Sequence, residues 1–146
     1  MKRYCLAGMQ TLVRFSRLGR GRRHLIARAT MCLAMASAAL AVLPFRRAIR
    51  FGSIPISNRG RDAIEDCLWA VEAAARRVPW RAMCIEKGLA AQRLLRRSGV
   101  DALLHYGIRH HPESGKLEAH VWVTVDGRSI IGGDQAAGFA EVAGYP

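Results

Sequence analysis

The chain has 146 residues and a formal charge of +12, one domain's worth of sequence and enough to bury a core. Residues 1–50 carry eleven basic side chains and no acid, whereas residues 51–146 carry twelve basic and eleven acidic ones, so the charge belongs to an N-terminal segment that could attract an anionic membrane, nucleic acid or an acidic partner. Nucleic acid is not expected, because the basic residues are not interleaved with stacking aromatics and no nucleic-acid module motif is present.

Residues 1–23 are basic and contain glycine, which suggests loose order with a short helix. Residues 24–43 read as a helix. The stretch 29–45 has no charge, is rich in Ala, Leu and Met, and lies between Arg22-Arg23-His24 and Arg46-Arg47. It has the look of a signal-peptide apolar region, with Ala36-Ser37-Ala38 as a candidate cleavage site. Against export, basic residues follow at once and the stretch starts far from Met1. A membrane helix needs roughly 20 apolar residues, and this run is at the short end and mostly Ala. The first expectation is an Ala-rich helix packed on the domain or on a partner, the second is membrane association, and the third is export. Pro44 ends or kinks this helix.

Residues 51–61 are a linker by their Gly, Ser, Pro and Asn content. They divide the chain into a basic, Ala-rich helical segment with linker at 1–61 and a compact domain at 62–146. Within 62–78 the apolar residues Ile64, Cys67, Leu68, Val71, Ala74, Ala75 and Val78 have the 3–4 spacing of an amphipathic helix, and Pro79 stops it. A second helix follows Trp80-Arg81-Ala82-Met83-Cys84, with Ile85, Leu89, Leu94 and Leu95 on its apolar side. Basic Arg96 and Arg97 suit its last turn, and Ser98-Gly99 closes it.

Three strands come next. Residues 102–109 alternate around Leu104, Tyr106 and Ile108, and 110–115 form a turn. Residues 117–125 alternate strictly: Leu117, Ala119, Val121, Val123 and Val125 on one face, Glu118, His120, Trp122 and Thr124 on the other. Asp126-Gly127 is a hairpin turn. Residues 128–131 return as the third strand, ended by Gly132-Gly133-Asp134. The tail to Pro146 is weakly patterned. The order of helices followed by an antiparallel sheet is α+β.

The four cysteines, Cys5, Cys32, Cys67 and Cys84, form no CxxC pair and are spread over distinct segments. This argues against a zinc site and against a disulfide framework, and it fits a reducing cytoplasm. Cys67 falls on the apolar stripe of its helix and reads as core. Cys84 stands at the start of a helix, where the free amides favour a thiolate, the nucleophilic form. His120 stands mid-strand on the face opposite the valines, on an element rigid enough to hold a catalytic base. A third group should orient its imidazole. Asp126 lies about 20 Å of strand away. Folding back at Asp126-Gly127 instead sets residues 133–134 opposite 119–120, so Asp134 is the expected orienter and Asp126 the alternative. His110 and His111, adjacent on an extended chain, point apart and do not suggest a metal. No cofactor is expected.

Taken together, Pro79-Trp80-Arg81-Ala82-Met83-Cys84, Gly88-Leu89-Ala90-Ala91 and Leu94-Leu95-Arg96-Arg97-Ser98-Gly99-Val100 resemble the cysteine segment of the lasso-peptide B2 proteases, related to the protease domain of the microcin-J25 processing protein. Leu104-His105-Tyr106-Gly107-Ile108-Arg109 resembles that family's next strand. Glu118-Ala119-His120-Val121-Trp122-Val123-Thr124-Val125-Asp126-Gly127 resembles its histidine motif, and Leu43-Pro44-Phe45-Arg46-Arg47 a segment upstream of it. Val121 stands where a small residue is common and Thr124 where an acid is common; neither change removes a catalytic group. Family members often carry an acid slightly earlier on the returning strand, where this chain has Gly132-Gly133.

The resemblance implies a transglutaminase-like, papain-related cysteine protease fold. It implies removal of the leader from a ribosomally made precursor peptide, which frees an amine that a separate synthetase joins to an acidic side chain as a macrolactam. It also implies a small leader-binding B1-type partner, acting in trans. Two other readings stay open: a transglutaminase-like acyl transferase, in which an amine resolves the same thioester, and a noncatalytic membrane-associated scaffold built on the N-terminal segment.

Overall fold

The computed structural model describes residues 19–58 and 62–146; of the segment 1–23 expected to be loosely ordered with a short helix, residues 1–18 lie outside them, as do linker residues 59–61. Helix α1, Arg20–Val42, buries Leu25, Ile26, Ala29, Cys32, Leu33, Ala36 and Ala39, a stripe at 3–4 spacing. A short helix α2, Phe45–Ala48, follows, with Pro44 at its start. Pro44 thus separates two helices, as a residue without an N–H does at a first turn. Helix α3, Ile64–Ala75, buries Cys67, Ala70, Val71, Ala73 and Ala74. Helix α4, Cys84–Arg97, buries Leu89, Ala90, Ala91, Leu94 and Leu95.

All three long helices share one hydrophobic cluster with Leu104, Val121, Val123 and Val125 of the sheet. Leu25, Ile26 and Leu33 are essentially inaccessible, and such burial stabilises by about 1.5–3 kcal/mol per side chain. Polar contacts fix the same packing. Arg28 Nη1 donates to Asp62 Oδ2 at 2.8 Å, and Ser98 Oγ donates to the same oxygen at 2.9 Å. The segment between α2 and α3 is tied along α4: Arg93 Nη1 donates to the Phe51 carbonyl at 2.6 Å and Arg96 Nε to that of Ile54 at 2.5 Å.

The sheet has four strands, β1 Ala102–His110, β2 Leu117–Val125, β3 Arg128–Ile131 and β4 Ala140–Tyr145, in the order β3-β2-β1-β4. Each neighbouring pair is antiparallel. The tail that carried little pattern in sequence is therefore a strand, β4, on the free edge of β1. It was hidden because its side chains are mostly exposed, so no buried face imposes alternation. Gln92 of α4 anchors it, donating from Nε2 to the Tyr145 carbonyl at 2.6 Å.

The β2–β3 hairpin turns at Asp126-Gly127, both with positive φ, as a two-residue type I′ connection requires. Val125 pairs with Arg128 and Thr124 with Ser129, but Val123 pairs with Ile131, so Ile130 is an extra residue in β3. The strand then stops. Gly132 adopts φ 72°, and Gly133–Gln135 form a 3₁₀ turn. From there the chain crosses from the β3 edge to the β4 edge, and this crossing shapes the site.

Candidate active site

Cys84 is the first residue of α4 and is half-buried. Its position is fixed by packing further along the helix, where Leu89, Leu94 and Leu95 are inaccessible. The turn itself is held by Glu86, whose Oε2 accepts from the Met83 backbone N–H at 2.6 Å. Ser37, from the middle of α1, hydrogen-bonds the other oxygen of this buried carboxylate. The N-terminal helix therefore braces the turn that presents the thiol. Glu86 stands three residues after the N-cap Met83, the place of the acidic half of a capping box; neither it nor its partner Ser37 was singled out in sequence, since Met83 lacks the hydroxyl that marks the motif.

His120 sits on β2 opposite Gly107 of β1. Because β3 pairs with β2 only from Val123 onward, β2 is the edge of the sheet at residue 120. The imidazole lies there, only 5% exposed. Its Nε2 is 2.8 Å from the Gly132 carbonyl oxygen. A carbonyl only accepts, so Nε2 carries the proton, and in the neutral ring Nδ1 is left as the basic nitrogen. The Phe139 ring covers one side at 5.3 Å between centroids, and Trp122 stacks at 6.3 Å. Trp122 lies over Gly107, where a Cβ would come within 2.8 Å of its ring; a side chain at 107 would displace the indole. On the far side of Trp122, His105 stacks at 5.3 Å and is held by Glu141 and Thr124, each at 2.8 Å.

Cys84, His120 and Asp134 line one open cleft of about 510 Å³. Arg81, Met83 and the Lys87–Glu72 ion pair (3.1 Å) border it on the α4 side. A second hollow of about 530 Å³ shares Cys84, His120, Asp134 and Gln135 and runs out between Phe139 and the Arg109–Glu118 pair (2.7 Å). Both hollows are lined by Cys84 and His120.

Asp134 stands in the 3₁₀ turn and faces the cleft, while the one hydrogen bond of the His120 ring among the described residues goes to Gly132. Asp126 stays in the hairpin turn with φ 49°. The Gly132 carbonyl was not foreseen as a functional group, since a backbone oxygen leaves no side-chain signal; the Gly-Gly pair ending β3 was the only hint. His110 and His111 serve the β1–β2 loop: His110 Nδ1 meets the Gly115 carbonyl at 3.2 Å, and His111 Nδ1 accepts from the amides of Glu113 and Ser114, both at 3.3 Å.

The two other described thiols are shielded by burial. Cys32 and Cys67 are 3% and 0% exposed, and burial pushes both thiols above their ordinary 9.0, which outweighs the pull of nearby arginines at Cys32 and of the Ser98 hydrogen bond at Cys67. Of the three described cysteines, only Cys84 meets solvent.

A half-buried thiol at a helix start and an imidazole at a sheet edge line one cleft, and a cysteine and a histidine so placed are the groups that cysteine proteases and acyltransferases use. The chain belongs to the transglutaminase-like superfamily, whose sequence profile matches residues 9–144. No curated protein and no solved structure gives a significant match.

Proposed function

We propose that this protein is a leader peptidase of the lasso-peptide B2 type, which cuts a ribosomally made precursor at the leader–core junction. The observation that carries the chemistry is the shared cleft of Cys84 and His120, with His120 Nε2 tied to the Gly132 carbonyl and Nδ1, which has no hydrogen bond among the described residues, as the base. The choice of substrate rests on the resemblance of the segments around Cys84 and His120 to that family.

In the proposed reaction Nδ1 of His120 accepts the Cys84 proton, and the thiolate attacks the scissile carbonyl. Backbone amides at the start of α4 receive the developing oxyanion. The C–N bond breaks as the imidazolium returns its proton to the departing amine, leaving a thioester on Cys84. The core thus departs with a free N-terminus; water, deprotonated by His120, then hydrolyses the thioester, releasing the leader as a carboxylic acid and returning the proton to Cys84. The Gly132 carbonyl keeps the proton of the resting ring on Nε2. Asp134 lines the same cleft and is the third candidate residue of the site. A leader-binding B1-type protein would deliver the precursor, and a macrolactam synthetase would consume the freed amine.

The test is mass spectrometry of a cognate precursor incubated with the protein and its leader-binding partner. Wild type should cut at one bond and add one water; Cys84→Ala should leave the precursor intact, and Asp134→Asn should slow the cut. An uncut precursor with wild type present would overturn the peptidase reading. A product carrying an amine in place of water would assign the thioester to acyl transfer instead.

A further inference from the structure

A helix that is apolar all round is normally buried all round. Helix α1 is apolar on both sides, yet only one side packs on the protein. The packed side holds Leu25, Ile26, Ala29, Cys32, Leu33 and Ala36. On the other side Ala27, Met31, Ala34, Met35, Ala38 and Val42 fall on one face by the 3.6-residue period and are all exposed. Met31 is 63% exposed and Val42 is 77% exposed. The face runs for about 22 Å along the helix and continues into exposed Leu43 and Phe45.

Charge brackets this face. Arg20 and Arg23 precede it on the same side of the helix, and Arg46, Arg47 and Arg50 follow it around a shared hollow with Tyr145. None of these five arginines has an ion pair among the described residues, and residues 1–50 contain no acid.

We propose that this face seats the protein on an anionic phospholipid surface, with α1 lying in the plane of the membrane. Apolar side chains of modest size between two basic ends match the layering of an acyl boundary under acidic headgroups. The arginine stems reach headgroups while Met31, Met35, Val42 and Phe45 enter the boundary. Spanning is the wrong geometry, although the helix is long and apolar enough for it. Arg28 is bonded to Asp62 and Ser37 to Glu86, and pulling α1 across a bilayer would break both contacts and empty the core. The inference is independent of the reaction at Cys84.

Flotation of the full chain with vesicles tests it. The protein should float with phosphatidylglycerol-containing vesicles and not with pure phosphatidylcholine, and alkaline carbonate or high salt should release it. Met35→Asp with Val42→Asp should weaken binding by at least about tenfold, as should Arg46→Glu with Arg47→Glu, with unchanged circular dichroism in each. Cys84→Ala should bind like wild type. Equal binding to both vesicle types, no binding to either, or resistance to carbonate would overturn the proposal. So would a dimer in light scattering that the Met35 and Val42 substitutions dissociate, which would assign the face to a second copy of the chain.

Discussion

Replacing Gly132 with alanine perturbs one backbone atom on which the imidazole depends. Gly132 has φ 72°, a region that costs an L-residue about 1–2 kcal/mol. The added Cβ would also come within 2.7 Å of the Val121 carbonyl oxygen and 3.3 Å of His120 Nε2. The first neighbour is backbone inside β2 and cannot move aside, so the strain must relax through residue 132 itself. That relaxation displaces the carbonyl that accepts from His120 at 2.8 Å, a bond worth about 0.5–1.5 kcal/mol. The expected destabilisation is about 2–3 kcal/mol, a drop of roughly 5–10 °C in Tm for a chain of this size. The freed ring can rotate or change tautomer, and kcat/KM for precursor cleavage should fall about 10–100-fold. Thermal melting and cleavage kinetics read the two effects. The reasoning is refuted if Gly132→Ala melts within a degree of wild type and cleaves at the wild-type rate.

Ser37→Ala removes a hydroxyl from the buried Glu86 carboxylate and should cost about 1–3 kcal/mol in a urea titration; it should also slow cleavage, because the turn carrying Cys84 loses its brace, while Ser37→Thr should recover much of both. Cys32 and Cys67 contribute a pH dependence. Their thiols are held above 9.0 in the folded chain, so unfolding releases protons above that pH, and their stabilising contribution, complete below 9.0, shrinks as pH rises beyond it. The urea midpoint should therefore fall between pH 8 and pH 10.5, and less steeply in Cys32→Ala; equal slopes would show that Cys32 plays no part.

The sequence disclosed most of the scaffold because its patterns are enforced by burial. Val121, Val123 and Val125 alternate against His120 and Trp122 because one face of β2 meets the helices, and Asp126-Gly127 marks the turn by its backbone requirement. Leu25, Ile26, Ala29 and Leu33 made α1 legible as a helix. Its two contacts across the fold, Arg28–Asp62 and Ser37–Glu86, were hidden because they join residues 34 and 49 positions apart. At the site, Cys84 and His120 stood out by residue type and element. The surroundings of His120 did not, because Ile130 bulges from β3 and Gly132 turns the chain out of the sheet. Simple hairpin counting therefore carries residues 133–134 opposite 119–120, whereas the ring nitrogen is met by the backbone oxygen of Gly132. Phe139 escaped notice for a related reason: it lies on a crossing whose path depends on β4 pairing with the far edge of β1.

The most direct test of the Cys84–His120 pair is the rate of iodoacetamide alkylation at pH 7, resolved by peptide mass spectrometry in wild type and His120→Ala. Cys84 should be modified in wild type while Cys32 and Cys67 stay protected, and its rate should fall at least about tenfold without the imidazole. An unchanged rate at Cys84 in His120→Ala, in protein that remains folded by circular dichroism, would contradict the pairing on which the proposed chemistry rests.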